Sequence, residues 1–196
     1  MDIQQSFLLL SLASYFVGAI PFGILFARWL TGKDPREHGS GNTGATNALR
    51  TGGKKVGILT LIADVLKGVI PVSLALQLEL NQSQVLIVAL AAFFGHIFPV
   101  YLKFKGGKGV ATMFGVMLPW APATAALAFA VWFVVFKVFR YVSIASISAA
   151  FALPLIAWFM HDSNGALMAC LIIGGAVTMR HHDNMSRLLA GTETKT

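Results

Sequence analysis

The most constraining feature of this sequence is a series of long apolar stretches with almost no charged residues. Segment 3–27 runs for 25 residues without a charge, and segment 109–136 runs for 28. A helix needs about 20 mostly apolar residues to cross a bilayer, where no water can satisfy its backbone. Charged residues make up 12% of the chain, against about 25% in soluble domains. Residues 1–196 are therefore predicted to form one all-α transmembrane bundle.

The positions of the basic residues predict the topology. All Lys and Arg residues except Lys67 fall in four regions, whereas the other connections contain only acidic residues. Basic regions stay on the cytoplasmic side of a membrane, so the N-terminus is expected outside and the C-terminus inside. The predicted cytoplasmic regions are 28–55, 103–108, 137–140 and 180–196.

The two middle basic regions, 103–108 and 137–140, are both predicted to be cytoplasmic. The chain must therefore cross the membrane twice between them. Segment 119–122, Pro-Trp-Ala-Pro, is a plausible outer turn because proline interrupts helices and tryptophan favours the interface. The alternative is one long helix that leaves a basic region outside. We favour about seven transmembrane helices over five or six. The predicted spans are 3–27, 56–78, 85–102, 109–119 (short), 121–136, 141–160 and 164–179.

A glycine-rich polar run at 39–47 lies in the first cytoplasmic region. Glycines let a backbone approach a ligand closely and direct N–H groups into one concavity. Segment 45–49 is expected to open a helix, whose N-terminus would favour an anion. The alternative is a flexible polar turn, and we favour a phosphate-type site. The residues assigned to it are Gly39, Ser40, Gly41, Asn42, Thr43, Gly44, Thr46, Asn47 and Arg50.

A second candidate anion site lies in segment 103–109, where three lysines and three glycines fall within seven residues. Lysine is a point charge suited to phosphate oxygens. The alternative is a positive-inside anchor, which needs lysines but not glycines, so we favour anion binding. The residues assigned to it are Lys105, Gly106, Gly107, Lys108 and Gly109.

Three ionisable residues lie inside predicted spans. Asp64 and Lys67 are three residues apart on one helix and can form a pair. Intramembrane charges are often functional, but a structural pair that fixes helix packing is at least as plausible. His96 is expected to form an interhelical hydrogen bond. Ser143 belongs to a run of small and hydroxyl residues, and it either packs between helices or contacts a substrate.

The C-terminal segment 180–193 is the last polar region. If it is helical, Arg180, Asn184 and Arg187 share a face, with His181 beside Asn184. An amphipathic anchor or a solvated tail is the alternative. The sequence contains no P-loop, no G-x-S-x-G elbow and no cluster with zinc spacing, which weighs against nucleotide hydrolysis and ordinary hydrolase chemistry.

Together these segments resemble the bacterial acyl-phosphate:glycerol-3-phosphate acyltransferase family of membrane-integral enzymes. The family's first motif is similar to 39–47 with Arg50, and its second is similar to 95–112. Order, spacing and hydropathy agree over nearly the whole chain. The residues similar to the third motif are Arg180, His181, Asn184, Arg187, Leu188, Gly191 and Glu193.

The resemblance implies transfer of a fatty acyl group from acyl phosphate to sn-glycerol 3-phosphate. The products would be 1-acyl-sn-glycerol 3-phosphate (lysophosphatidic acid) and phosphate, in the first acylation step of phospholipid synthesis. It also implies a multi-pass protein of the bacterial inner membrane with a cytoplasmic active site. Acyl phosphate is already activated, so neither a cofactor nor a metal is expected. The expected partners are membrane lipid and the soluble enzyme that makes acyl phosphate, with no nucleic acid, and the chain is expected to be a monomer.

The resemblance also assigns roles to residues. Ser40, His181 and Asn184 would be catalytic, and the first motif would hold the donor phosphate. The second motif, with Ser143, His181 and Asn184, would hold glycerol 3-phosphate. Direct attack by the glycerol hydroxyl is favoured over a Ser40 acyl-enzyme, and either His181 or the leaving phosphate takes the proton. The supporting residues would be Asp64, Lys67, His96, Arg187 and Glu193.

Two other functions fit parts of the pattern. A membrane transporter of phosphate or an organic anion would also need anion-binding loops and intramembrane charges. In this chain, however, the polar loops are all predicted to lie on one face of the membrane, and the sequence shows no internal repeat. A non-catalytic scaffold that binds anionic lipid would depend on scattered lysines rather than on glycines.

Overall fold

The computed structural model describes residues 2–195, and within that range the chain is all-α, as predicted. Two short 3-10 helices, Pro35–Glu37 and Val100–Leu102, lie in loops. The nine α-helices of the described residues are α1 (Ile3–Ala19), α2 (Phe22–Thr31), α3 (Ala45–Gln77), α4 (Gln82–Ile97), α5 (Val110–Trp120), α6 (Pro122–Phe139), α7 (Val142–Phe159), α8 (Asn164–Arg180) and α9 (His182–Leu189).

Most of these helices are suited to a lipid environment. Four stretches are long and apolar enough to cross a membrane: α3, α4 with the 3-10 turn after it, α6 and α7. Helices α1 and α2, bent by 41° relative to each other, qualify as a fifth span if they are taken together. Helices α5 and α8 are apolar but shorter. Large apolar side chains such as Leu9 and Phe151 are exposed on the outside of the bundle, where lipid replaces water as the solvent.

The first predicted span, 3–27, is broken in the structure. Helix α1 ends at Ala19, and α2 begins after Pro21, which has no N–H to continue the helical ladder. The break leaves the Ile20 carbonyl outside the regular hydrogen-bond pattern of the two helices. The Lys67 ammonium donates to this carbonyl at 3.3 Å, so an intramembrane lysine stabilises the interruption.

Helix α3 begins at Ala45, well before the predicted span 56–78. Its first turns coincide with segment 45–49, where the sequence predicts a helix start. A kink at Gly53, with φ 83° and ψ 178°, separates this initial part from the rest of α3. The helix N-terminus is therefore part of the glycine-rich loop rather than of the apolar span.

The long apolar segment 109–136 is divided into α5 and α6. The helical dihedrals are interrupted at Ala121, which has φ −138° and ψ 71° and lies between Pro119 and Pro122. The sequence predicts a turn at this point. The interruption reverses the chain, so α5 and α6 run in opposite directions and the loops on either side of them meet.

Polar contacts define two opposite ends of the bundle. At one end, Gln82 accepts hydrogen bonds from Trp120 (3.1 Å) and Ser163 (2.7 Å), and Thr124 donates to Asp162 at 2.5 Å. These contacts join the start of α4, the α5–α6 turn and the α7–α8 connection. The glycine-rich loop, segment 98–109, the start of α7 and the C-terminal segment gather at the other end, which we call the polar end.

Close helix packing depends on small residues at the contacts. A Cβ atom added to Gly18 of α1 would lie 2.1 Å from the Ala92 carbonyl oxygen of α4. A Cβ atom at Gly115 of α5 would lie 2.2 Å from the Val65 carbonyl oxygen of α3. Such backbone contacts are typical of membrane helices, which associate through packing rather than through a hydrophobic driving force.

We expect Gly115→Ala to destabilise the bundle by about 1–3 kcal/mol, since its methyl group requires α3 and α5 to separate. Thermal unfolding of the purified protein in detergent measures the effect. Gly175→Ala is the matched control, because a Cβ atom there meets no atom within 4 Å. Equal melting temperatures for the two variants would contradict the proposed packing.

Candidate active site

A cavity of about 760 Å³ opens at the polar end and continues along the apolar faces of the helices. Its polar part is formed by several regions that are distant in sequence. Its apolar part lies between α3, α5 and α6. The polar side chains that line it belong to Ser40, Asn42, Thr46, Asn47, Arg50, Asp64, His96, Lys108, Ser143, Ser146, His181, Asn184 and Glu193.

The glycine-rich loop is organised around the side chain of Asn47. Its amide nitrogen donates to the carbonyls of Pro35 (2.7 Å), His38 (3.1 Å) and Asn42 (2.9 Å), and its amide oxygen accepts from the Ser40 N–H at 2.9 Å. These bonds occupy both amide hydrogens. Asn47 borders the cavity, but its amide nitrogen is committed to the loop, not to a phosphate as the sequence predicts.

A buried carboxylate holds the preceding part of this loop. Asp34 accepts hydrogen bonds from Arg36 (2.6 Å) and Arg28 (2.7 Å). The hydrogen bonds from Arg36, opposed by burial, hold the pKa of Asp34 well below its usual range. Asp34 therefore stays ionised and fixes the turn that supplies carbonyls to Asn47.

The structure brings most of the predicted donor site to the cavity. Gly44 begins α3 without a side-chain cap, so the N-terminus of this helix borders the cavity through residues 44–46. Thr43 instead borders a much smaller cavity beside Lys67. Gly39 and Gly41 lie outside the lining of the large cavity. The predicted donor-site residues that line it are Ser40, Asn42, Gly44, Thr46, Asn47 and Arg50.

The second motif differs from the prediction. The N–H groups of Gly106 and Gly107 donate to the carbonyls of Ile97 and His96, both at 3.1 Å. Their own carbonyls accept from Arg180, at 3.1 and 3.3 Å. These peptide groups are therefore used within the protein and do not surround an anion.

Within segment 103–109, only the last two residues reach the cavity. Lys108 and Gly109 line it, whereas Lys105 is exposed and lies outside the lining. Gly109 adopts φ 86° as the residue before α5, a conformation that L side chains rarely tolerate. This turn directs the chain from the lysine-bearing loop into the helix.

A network of hydrogen bonds joins Lys108 to the C-terminal segment. The Lys108 ammonium donates to the amide oxygen of Asn184. The Asn184 amide nitrogen donates to Glu193 at 2.7 Å, and the same carboxylate accepts from Ser143 at 3.0 Å and Arg187 at 2.7 Å. Burial opposes ionisation of Glu193, but the bonds from Arg187, Asn184 and Ser143 hold its pKa below the usual range. The supporting role expected for Glu193 and Arg187 thus has a geometric basis.

Two groups in the cavity have strongly lowered pKa values. Burial, assisted by the charge of Arg187, lowers the pKa of Lys108 to about 8. Burial also lowers the pKa of His181 to about 4, so its ring is neutral near pH 7. The His181 Nδ1–H donates to the Val177 carbonyl at 2.8 Å, which leaves the lone pair of the neutral ring on Nε2.

Segment 180–193 is not one continuous helix, so the condition for a face shared by Arg180, Asn184 and Arg187 is not met. Helix α8 ends at Arg180, and His181 separates it from α9. Arg180 consequently points to the glycines of the second motif, whereas Asn184 and Arg187 bind Glu193. The tail beyond α9 then contacts the first motif, since Arg50 donates to the Thr194 carbonyl at 3.3 Å.

The intramembrane charges form one buried cluster beneath the polar end. Asp64 and Lys67 are paired at 2.8 Å, and His96 Nδ1 lies 3.7 Å from the same Asp64 oxygen. Asp64 and His96 border the large cavity, but Lys67 does not. The ammonium of Lys67 instead faces Asp64 and the α1–α2 break.

Sequence reasoning missed the aromatic wall of the apolar groove. Phe129, Trp132 and Phe136 of α6 are stacked in a row, with ring centroids 6.0 and 5.2 Å apart. The Trp132 Nε1–H donates to the Ser146 hydroxyl at 3.1 Å, which fixes the middle ring. Their spacing of three and four residues places them on one helix face, a signal that was available in an otherwise uniformly apolar segment.

Comparison with known proteins agrees with this geometry. The family model "Glycerol-3-phosphate acyltransferase" matches residues 8–191. Glycerol-3-phosphate acyltransferases of Syntrophotalea carbinolica and Trichlorobacter lovleyi are 48% and 50% identical to the chain. The alignments cover 98% of both chains for the first and 93% of both chains for the second.

Two solved structures are also similar. The glycerol 3-phosphate form of PlsY (YgiH), described as an integral membrane glycerol 3-phosphate acyltransferase, has a TM-score of 0.93 and 40% identity, and the match covers 97% of this chain and 96% of that one. The lysophosphatidic acid form has a TM-score of 0.89 and 38% identity, over 97% and 95% of the two chains. The chain belongs to the glycerol-3-phosphate acyltransferase family, and it is a membrane-integral acyltransferase.

We expect Asn47→Asp to disrupt the glycine-rich loop, because a carboxylate oxygen would replace the nitrogen that faces three carbonyls. The displaced loop should lower kcat/KM about a hundredfold, together with the melting temperature. Asn81→Asp is the matched control, because Asn81 caps α4 and aspartate caps helices equally well. Normal activity of the Asn47 variant would contradict this role.

The lowered pKa of Lys108 predicts a pH dependence. Lysine is charged below its pKa, so Lys108 should lose its charge as the pH rises through about 8. The apparent KM for glycerol 3-phosphate should then rise about fivefold between about pH 8 and about pH 9, because the charged fraction of Lys108 falls from about one half to about one tenth. Lys108→Arg should remove this rise, because a guanidinium stays protonated. A similar rise in the arginine variant would assign the titration to another group.

Proposed function

We propose that the protein transfers a fatty acyl group from acyl phosphate to sn-glycerol 3-phosphate, which yields lysophosphatidic acid and phosphate. The observation that carries this proposal is a single cavity with a cationic end and an apolar groove. The cationic end suits phosphate groups, and the groove suits a hydrocarbon chain. The similar PlsY structures, one a glycerol 3-phosphate form and the other a lysophosphatidic acid form, support the same acceptor and product.

The donor phosphate is assigned to the glycine-rich loop. Ser40, Arg50 and the N-terminus of α3 border the cavity there, and a helix N-terminus favours anions. The acyl chain then extends into the apolar groove. The groove residues are Ile58, Leu61 and Val65 of α3, Phe114 and Leu118 of α5, and Ala125, Ala126, Phe129, Trp132 and Phe136 of α6.

Glycerol 3-phosphate is assigned to the opposite side of the polar cavity. Lys108 supplies the charge for its phosphate, and His181, Asn184 and Ser143 line the same side. The ammonium of Lys108 is already positioned by Asn184. Glu193 in turn fixes Asn184 and Ser143, which favours a preorganised acceptor site.

The favoured reaction is direct attack of the glycerol hydroxyl oxygen on the acyl carbonyl carbon. A new ester C–O bond forms, the C–O bond to phosphate breaks, and phosphate leaves with the bonding electron pair. The hydroxyl proton passes to the leaving phosphate or to Nε2 of His181, whose neutral ring carries a lone pair there. N–H groups at the start of α3 and the Ser40 hydroxyl are suited to stabilise the charge that develops on the carbonyl oxygen.

We also infer a topology of seven spans with an outside N-terminus and a cytoplasmic C-terminus, in a bacterial inner membrane. The five candidate spans and the two shorter apolar helices supply the required segments. The basic regions predicted to be cytoplasmic meet at the polar end, where a water-soluble acceptor can enter.

Phosphate release from palmitoyl phosphate by the purified protein tests this function. Release should depend on glycerol 3-phosphate and should match lysophosphatidic acid one for one. Ser40→Ala and Lys108→Ala should reduce transfer at least about a hundredfold, with Lys103→Ala as the exposed control from the same loop. Absence of acceptor-dependent release from folded protein would refute the donor assignment and make anion transport into liposomes the next hypothesis to test.

The same assay separates direct attack from an acyl-enzyme. With palmitoyl phosphate alone, direct attack predicts no rapid release of phosphate and no acylated protein. A burst equal to the enzyme concentration, together with acylated Ser40, would establish the two-step reaction instead.

A further inference from the structure

The imidazole of His96 lies between the buried Asp64–Lys67 pair and loop 103–109 of the second motif. Its Nδ1 atom faces Asp64 at 3.7 Å, and the ring is almost completely buried. On the other side, a Cβ atom added to Gly107 would lie 2.1 Å from His96 Nε2 and 2.8 Å from Cε1. The ring therefore forms the surface on which Gly107 rests.

The backbone of the same two segments is also joined. Gly107 N–H donates to the His96 carbonyl, and a Cβ atom at Gly106 would lie 2.1 Å from that carbonyl oxygen. Arg180 holds the other side of the loop through both glycine carbonyls. The position of loop 103–109 is thus set by its contacts with His96 and by the hydrogen bonds from Arg180.

Lys108 follows Gly107 directly, so a shift of Gly107 moves the ammonium that the cavity presents to an anion. The Asp64 carboxylate is itself fixed by Lys67, and the Asp64 carbonyl accepts from Thr112 of α5 at 3.1 Å. The ring is buried between Asp64 and Gly107. A larger residue at position 107 would therefore collide with it unless the ring or the loop moves.

We propose that His96, whose ring faces Asp64, is a positioning residue that sets the place of Lys108 through its contact with Gly107. The proposal rests on the proposed role of Lys108 in binding glycerol 3-phosphate. His96 acts through the loop, so its replacement should affect acceptor affinity more than the chemical step. The KM for acyl phosphate should change little.

A double-mutant cycle tests this contact. Calorimetry with glycerol 3-phosphate alone is applied to the wild type, Gly107→Ala, His96→Ala and the double variant. Gly107→Ala should weaken binding about tenfold when His96 is present, because the new methyl group meets the ring. In the His96→Ala background the methyl group occupies vacated space, and the same change should cost less than about twofold.

His96→Gln is the conservative variant, since its amide nitrogen can occupy the place of Nε2. It should bind glycerol 3-phosphate within about threefold of the wild type, whereas His96→Ala should not. An equal loss of affinity for glycerol 3-phosphate on Gly107→Ala in the two backgrounds would overturn the positioning role. Loss of affinity in His96→Gln equal to that in His96→Ala would overturn it as well.

Melting temperatures of the same four proteins distinguish a failure of the positioning role from a failure of the proposed acceptor site. Coupling between His96 and Gly107 in stability but not in affinity would show a purely structural contact, which overturns the positioning role and leaves the proposed function intact. A folded wild type that does not bind glycerol 3-phosphate would refute the acceptor assignment, and the positioning role with it. Palmitoyl phosphate turnover does not enter this test, so it is independent of the donor.

Discussion

The buried ion pair between Asp64 and Lys67 lies within α3, at the place where this helix meets the other segments beneath the large cavity. An unpaired charge inside a membrane bundle costs several kcal/mol, so each of the two residues requires the other at 2.8 Å. Lys67 also binds the carbonyl at the α1–α2 break, and the Asp64 backbone binds Thr112. The two residues of the pair thereby link α3 to the α1–α2 break and to α5, beneath the loops that carry the cationic groups.

Two carboxylates serve the loops in the same way. Asp34 binds Arg28 and Arg36 just before the first motif, and Glu193 accepts hydrogen bonds from donors of α7 and α9. Neighbouring cations would otherwise repel one another before any substrate arrived. Each carboxylate offsets this repulsion and also fixes the segment that it binds through its hydrogen bonds.

The all-α class, the helix start at Ala45 and the interruption near Ala121 were predictable, because glycine, proline and apolar runs act locally. The packing of Gly107 on His96 was not, because it depends on how α4 and the following loop fold together. The glycines of the second motif were expected to surround an anion, and instead they permit a close contact within the protein. Similarly, the three carbonyls bound by Asn47 converge only in the folded loop, and no spacing rule predicts such a set.

The cavity joins two parts that different elements build, the loops at the polar end and the faces of α3 and α6 along the groove. Substitutions on the helix faces can therefore alter the shape of the apolar part while the cationic groups stay where they are. In evolutionary terms, the two parts can vary separately. On the proposed assignment of the acyl chain to the groove, a lineage that must adjust its membrane to a new temperature can change the groove residues and keep the cationic groups.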